Sequence, residues 1–64
     1  MEDLGVRIAN LRKEQNITQA ELGKRLNISA QAVSKWENGL SEPDIETMTK
    51  LCEIFNVSLD GLVG

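Results

Sequence analysis

The sequence predicts a single small all-α domain. Three observations lead to that fold class: apolar residues recur at helical spacings, helix-capping residues divide the chain into short segments, and no segment alternates apolar and polar residues with the β-branched enrichment typical of strands. The chain has 64 residues, which leaves room for one domain, spanning 1–64, with one core. We expect a compact arrangement of five helices.

The first two helices follow from apolar spacing and from a capping box. Leu4, Ile8 and Leu11 recur at i, i+4 and i+7, which predicts a helix from about residue 3 to residue 15. Thr18 followed by Glu21 has the spacing of a capping box, in which the hydroxyl and the carboxylate each accept a backbone N–H. The second helix is therefore expected to begin at residue 19.

The remaining helices follow from the residues at their ends. Asn27 tolerates the left-handed backbone that stops a helix, and Ser29 is suited to cap the next helix at once. This third helix carries Val33 and Trp36 on its apolar side and should stop at residues 38–39. A fourth helix begins after residues 43–44 and ends at residue 56, and a last helical turn begins at residue 58. The apolar stripe expected on the fourth helix comprises Ile45, Met48, Leu51 or Cys52, and Phe55.

The composition argues against several kinds of site. Cys52 is the single cysteine, so the chain has no internal disulfide, and without histidine a zinc site lacks its usual ligands. No histidine is present to activate Cys52, and we find no nucleophile paired with a base, so we expect neither an enzyme nor a bound metal or cofactor. No apolar run has the length of a signal peptide or a membrane span, which favours a cytoplasmic protein with no membrane partner.

The acidic balance initially argues against a nucleic-acid partner. The formal net charge is -3 and the pI is about 4.7, whereas binding to phosphates is driven by basic surfaces. The charge is unevenly distributed, because residues 1–41 hold six basic and five acidic residues while residues 42–64 hold one basic and five acidic residues. Net charge therefore does not exclude DNA, but it predicts weak non-specific binding.

The functional signal lies in residues 18–38, where two short helices are separated by about three residues. Such a short connection requires the two helices to approach each other closely. Gly23 supplies a position without a side chain on the first of them, although glycine weakens a helix interior. Four residues then face outward on the second of these helices: Ala30, Gln31, Ser34 and Lys35. Taken alone, such a face is more often simply solvated, yet it also has the size and hydrogen-bonding groups that a reader of the DNA major groove needs.

Two stretches resemble a known family: TQAELGKRLNISAQAVSKWENG and the following PDIETMTKLCEIFNVSLDGL. They are similar to the lambda-repressor-like helix-turn-helix family, also called Cro-like or xenobiotic-response-element regulators, over residues 4–63. The resemblance implies a five-helix DNA-binding domain with its helix-turn-helix in helices 2 and 3. It implies sequence-specific binding of double-stranded DNA in transcriptional regulation, by a repressor that recognises a pseudo-palindromic operator as a homodimer.

The resemblance also assigns roles to individual residues. Gln19 corresponds to a phosphate contact at the start of the second helix, and Asn38 to a phosphate contact after the third. Gln31 is the leading candidate for reading bases, since glutamine can bond adenine N6 and N7. Arg12 and Glu37 correspond to a structural ion pair between the first and third helices. The complete set of DNA-binding candidates, including the two helix caps, is Thr18, Gln19, Ser29, Ala30, Gln31, Ser34, Lys35 and Asn38.

Three expectations concern partners. Leu59, Leu62 and Val63 are candidates for a dimer contact, because in the family this end of the domain often forms one, although some of them must close the core. Glu42 in the loop before the fourth helix is expected to repel phosphate. The alternative function is a protein-interaction module of the antitoxin, antirepressor-docking or co-activator type, and the chain is also compatible with a fragment of a longer regulator that has a C-terminal regulatory domain.

Overall fold

The computed structural model describes residues 3–63 and shows five α-helices connected by short turns. These are α1 (Leu4–Glu14), α2 (Gln19–Leu26), α3 (Ala30–Glu37), α4 (Ile45–Phe55) and α5 (Leu59–Val63). No strand is present in this described range. The all-α prediction is confirmed, and each predicted helix lies within about one residue of its expected ends.

Asparagine residues end two of the helices and form part of the turn after a third. Asn27 and Asn56 adopt the left-handed conformation, with φ of 61° and 57°, as their positions in the sequence predict. Asn16 does so as well, with φ of 58°, in the turn between α1 and α2. Asparagine tolerates this region better than other non-glycine residues, so these side chains fix the ends of α2 and α4 and the turn after α1.

Side-chain oxygens cap α2, α3 and α4 at their N-termini. The hydroxyls of Thr18 and Ser29 accept the backbone N–H groups of Glu21 and Ala32 at 3.0 and 3.1 Å, and the Asp44 carboxylate accepts that of residue 47 at 2.8 Å. One half of the predicted capping box is therefore observed. The Glu21 carboxylate lies 3.8 Å from Arg25 Nε, one helical turn further along α2.

The core combines residues from every helix and from the turn after α1. Trp36 is buried, as predicted, and Leu62 closes the core from α5. The expectation for Ile45 is wrong: its side chain is 82% exposed, because it lies at the first position of α4 and away from the face that Leu51 and Phe55 present to the core. The buried apolar residues are Ile8, Leu11, Ile17, Leu22, Leu26, Val33, Trp36, Leu51, Phe55 and Leu62.

Two glycines permit close packing around α3. A Cβ atom at Gly23 would lie 2.8 Å from the Ile28 carbonyl oxygen, which explains glycine inside α2 next to the turn. The second site is not evident from the sequence: a Cβ atom at Gly5 would collide with the carbonyl oxygen of Trp36. α1 and α3 can therefore pack with their backbones almost in contact.

Polar side chains of α1 and of its C-cap hold the C-terminal helices in place. Arg7 Nε donates to the Gly61 carbonyl at 2.8 Å, and Gln15 Nε2 donates to the Phe55 carbonyl at the end of α4, also at 2.8 Å. α1 thus contacts α5 through Arg7 while it packs against α3 through Gly5. None of the described helices has the length and apolar character needed to span a bilayer, since the longest have 11 residues.

Candidate nucleic-acid interface

The candidate reading face is the solvent-exposed side of α3. Val33 and Trp36 are buried on the opposite side, which fixes the rotation of the helix about its axis. Gln31 and Lys35, one turn apart, are exposed. Ser34 is partly exposed beside them. The outward orientation predicted for these three side chains is confirmed, and Ala30 at the helix start is likewise partly exposed.

The turn between α2 and α3 holds the two helix N-termini in a fixed relationship. Asn27 reverses the backbone, and the N–H of Ile28 donates to the Gly23 carbonyl at 2.8 Å. Thr18 and Ser29, the caps of α2 and α3, are both exposed. Because the first turn of a helix offers unpaired N–H groups and a partial positive charge, both ends are suited to phosphate groups.

The predicted ion pair between Arg12 and Glu37 is present and is bidentate. Arg12 Nε lies 2.7 Å from Glu37 Oε2, and Arg12 Nη2 lies 3.1 Å from Oε1. The third guanidinium nitrogen, Nη1, donates to the Ile17 carbonyl at 2.8 Å. Both side chains are about nine-tenths buried. The pair therefore ties the end of α3 to α1 and to the turn that precedes α2.

Gln19 joins the same network from the start of α2. Its Nε2 donates to Glu37 Oε1 at 3.0 Å, so one amide hydrogen of Gln19 is held by the end of α3. A primary amide has a second hydrogen. The side chain is thereby oriented at the N-terminus of α2, the position at which the sequence predicts a phosphate contact.

The network changes the protonation equilibria of both charged partners. Burial alone would raise the pKa of Glu37, but hydrogen bonds from Arg12 and Gln19 and the positive charge of Arg12 together lower it. The hydrogen bond to Glu37 correspondingly raises the pKa of Arg12. Both groups are ionised at neutral pH, and their charges compensate each other.

The Asn38 side chain folds back onto α3. Its Nδ2 donates to the Ser34 carbonyl oxygen at 2.9 Å and lies 3.2 Å from Ser34 Oγ. The sequence does not predict this contact. The family resemblance implies a different one, between Asn38 and a phosphate. That phosphate contact stays a prediction. In the structure, both hydrogen-bond partners of the Asn38 amide are atoms of Ser34, on the reading face.

The C-terminal residues form an apolar surface that differs from the expected one. Leu59 and Val63 are 55% and 40% exposed, whereas Leu62 is fully buried and closes the core. Leu62 is therefore removed from the candidate dimer contact. Ile45, which the sequence analysis places in the core, lines the same groove as Leu59 and Val63. We call Ile45, Leu59 and Val63 the α4–α5 apolar surface.

The described residues contain no cluster of three or more histidine, cysteine, aspartate or glutamate side chains that is able to hold a metal ion. Cys52 is a free thiol of intermediate exposure on α4. Glu42 is exposed in the loop before α4, and the repulsion of phosphate expected there stays a prediction.

Comparison with known proteins identifies the family. Residues 8–62 match the family model described as helix-turn-helix. The chain belongs to the lambda-repressor-like helix-turn-helix family. It is 38% identical to the HTH-type transcriptional regulator ImmR of Bacillus subtilis over 61 residues, which are 95% of this chain and 48% of ImmR. It is also 38% identical to repressor protein C2 of Salmonella phage P22 over 94% of this chain and 28% of C2.

The chain thus spans about half or less of these curated relatives. A third relative is the antitoxin PezA of Streptococcus pneumoniae, 38% identical over 95% of this chain and 39% of PezA. Among solved structures, the P22 c2 repressor in complex with a synthetic operator matches with a TM-score of 0.90 and 36% identity, covering 98% of this chain and 96% of that chain. A hydroxypropylphosphonic acid epoxidase, 19% identical with a TM-score of 0.88, shares the helix-turn-helix fold alone over 33% of its chain.

The ion pair generates a prediction for stability as a function of pH. Because the pKa of Glu37 is lowered on folding, its contribution to stability is complete above the ordinary value of 4.5 and is lost as pH falls through the folded-state pKa. Glu37→Gln should lower the free energy of unfolding by about 2 kcal/mol at pH 7, the scale of a hydrogen bond to a charged group. Urea unfolding from pH 7 down to pH 3 should show this difference shrinking below about pH 4.5.

Asp44→Asn provides the comparison for this measurement. The hydrogen bonds with Thr47 lower the pKa of Asp44, so this exposed helix cap also contributes to acid sensitivity. The free energy of unfolding of the Asp44→Asn protein should still fall as Glu37 is protonated, whereas the Glu37→Gln protein should lack that part of the pH dependence. Equal pH dependence of the wild type and Glu37→Gln would show that the ion pair is not responsible.

Proposed function

We propose that this helix-turn-helix domain binds double-stranded DNA in a sequence-specific manner as part of a transcriptional regulator. The observation that carries the proposal is the exposed face of α3, on which Gln31 and Lys35 project from a helix whose opposite side is fixed by Val33 and Trp36. The operator complex formed by the P22 c2 repressor, which shares the fold and 36% of the aligned sequence, supports it.

In the proposed complex, α3 lies in the major groove and the N-terminus of α2 faces the phosphate backbone. Gln31 bonds adenine N6 and N7, and the Ala30 methyl group contacts a thymine methyl. Lys35 reaches guanine or a phosphate. Gln19, held by Glu37, offers its second amide hydrogen to a phosphate, together with the N–H groups that Thr18 and the first turn of α2 provide.

The acidic composition is compatible with this arrangement because the charges near the interface are compensated. Glu37 is paired with Arg12, and Glu21 lies beside Arg25. Five of the ten acidic residues lie in residues 42–63, which form α4, α5 and the adjoining loops. Since few cations face DNA, the affinity for random sequence should be low, and most of the binding energy should depend on base contacts and helix N-termini.

We further propose that two copies bind a pseudo-palindromic operator as a repressor dimer. The α4–α5 apolar surface supports this step, because three large apolar side chains are exposed around one groove between adjacent helices. A two-fold axis through that surface would present two α3 helices on one side of DNA. Half-sites are then expected about one helical turn, roughly 34 Å, apart.

A second candidate function is a protein-interaction module that docks a different protein on the α4–α5 apolar surface. Asp60 lines the groove beside this surface, and Asp44 and Glu46 flank Ile45 in the sequence, so a partner with an apolar centre and basic groups at its edge would fit. The resemblance to the antitoxin PezA supports this alternative. Binding to DNA that is insensitive to salt, or absent at about 50 mM salt, would favour it over the first proposal.

The role of Gln31 is testable with a duplex selected from a random library by the wild-type protein. Gln31→Ala should weaken binding to the selected duplex by about 1–3 kcal/mol, because one bidentate base contact is lost, while the affinity for random DNA stays nearly unchanged. Fluorescence anisotropy with both duplexes measures the difference. Lys50→Ala, on the exposed side of α4, is the control and should leave both affinities unchanged. An equal loss on both duplexes would remove Gln31 from the reading role.

Dimerisation is testable with two matched valines. Val63 on the α4–α5 apolar surface is 40% exposed, and Val6 on α1 is 44% exposed. If the proposed interface exists, Val63→Asp should lower dimer affinity at least about tenfold, since it places a charge in an apolar contact, and Val6→Asp should not. Sedimentation equilibrium measures the dimer constant in the presence and absence of the selected duplex. Equal effects of the two substitutions would contradict dimerisation through this surface.

A further inference from the structure

α1 has two faces that contact different parts of the domain. On one face, Arg7 and the C-cap residue Gln15 donate hydrogen bonds to α5 and to the end of α4. On the other face, Gly5 lies against the backbone of α3, and Arg12 binds Glu37 at the end of α3. α1 therefore faces the C-terminal helices on one side and the helix-turn-helix on the other.

Lys13 belongs to the side of α1 that faces the helix-turn-helix. Residues four positions apart share a helix face, so Gly5, Ala9 and Lys13 form one row along α1. Arg12 follows Gly5 by seven positions, about two helical turns, and borders the same row. Lys13 is exposed and lies in the last turn of α1. Its side chain thus leaves the helix beside the ion pair between Arg12 and Glu37.

The charge of Lys13 acts on the network that holds the start of α2. Burial raises the pKa of Glu37, whereas the hydrogen bonds from Arg12 and Gln19 lower it. The positive charges of Arg12 and Lys13 lower this pKa further. The same carboxylate accepts Gln19 Nε2 at 3.0 Å. Lys13 and Gln19 therefore flank one carboxylate, Lys13 from the end of α1 and Gln19 from the N-terminus of α2.

The ammonium group of Lys13 has no carboxylate partner among residues 3–63. The two arginines nearby in sequence differ in this respect, since Arg12 is paired with Glu37 and Arg25 lies 3.8 Å from Glu21. The positive charge of Lys13 is thus available to an anion outside the chain.

We infer that Lys13 binds a DNA phosphate beside the N-terminus of α2, so that the end of α1 is a third part of the DNA interface. The inference rests on the proposed DNA-binding function and adds an element to it. Gln19 and the first turn of α2 are proposed to meet the phosphate backbone, and Lys13 lies next to them on the α1 side. The DNA strand would then pass from α2 across the end of α1.

The physical reason is the difference between a full charge and a dipole. Gln19 is neutral, and the N-terminus of α2 carries a partial positive charge only. An ammonium group that contacts a phosphate also releases a condensed counterion from the DNA, which makes binding more sensitive to salt. Because every base sequence has the same phosphates, Lys13 should add affinity without adding base preference.

The test measures the salt dependence of binding for the wild type, Lys13→Ala and Lys13→Arg. Fluorescence anisotropy with the selected duplex and with a random duplex is recorded over about 50–200 mM salt. Lys13→Ala should weaken binding to both duplexes by the same factor, about 3- to 10-fold at 100 mM salt, and should reduce the slope of log K against log salt by about 0.9. Lys13→Arg should retain the wild-type slope, and Lys50→Ala, which removes the same charge from α4, is the control.

A slope for Lys13→Ala equal to that of the wild type or of Lys50→Ala would overturn the inference. Loss of affinity with an unchanged slope, together with a lower free energy of unfolding in urea, would also overturn it, since Lys13 would then act only by stabilising the ion-pair network. These outcomes leave the proposed function intact. If the wild-type chain binds neither duplex, the proposed function fails and the role of Lys13 fails with it.

Discussion

The arrangement of the helix-turn-helix depends on one buried ion pair. Arg12 satisfies Glu37 with two parallel hydrogen bonds and uses its remaining nitrogen on the Ile17 carbonyl, while Gln19 adds a bond to the same carboxylate. Each contact comes from a different part of the chain: α1, the turn after it, the start of α2 and the end of α3. Because a buried charge without a partner is costly, the four groups must assemble together, and the crossing of α2 and α3 is fixed in the process.

Contacts of α1 with the other helices stabilise this arrangement. Gly5 lets α1 approach the backbone of α3 at Trp36, while Arg7 and Gln15 hold α5 and α4 against α1. Two surfaces consequently differ in character. α3 and the N-terminus of α2 are exposed with compensated charges nearby, whereas α4 and α5 expose the α4–α5 apolar surface. The proposed DNA contact and the proposed dimer contact therefore use different helices.

Local chemistry made much of the fold predictable. Asn27 and Asn56 mark helix ends because their backbone preference acts within a few residues, and the spacing of Val33 and Trp36 fixes the buried side of α3. Contacts between residues that are distant in the sequence were harder to predict. The collision that excludes a side chain at Gly5 involves a backbone atom 31 positions away, and Ile45 is exposed at the first position of α4 although its spacing matches the apolar stripe. Asn38 shows the same limit within the site, since its contact with Ser34 depends on one side-chain rotamer and not on residue type.

The central claim is that α3 and the N-terminus of α2 form the DNA-binding surface. Titration of the ¹⁵N-labelled protein with its selected duplex, followed by amide chemical shifts, tests this most directly. The account predicts that the largest shifts fall on residues 18–20 and 29–38, with a smaller group on α5 if dimerisation accompanies binding. Shifts confined to α4 and α5, with α3 unperturbed, would contradict it and would place the DNA-binding surface on those two helices.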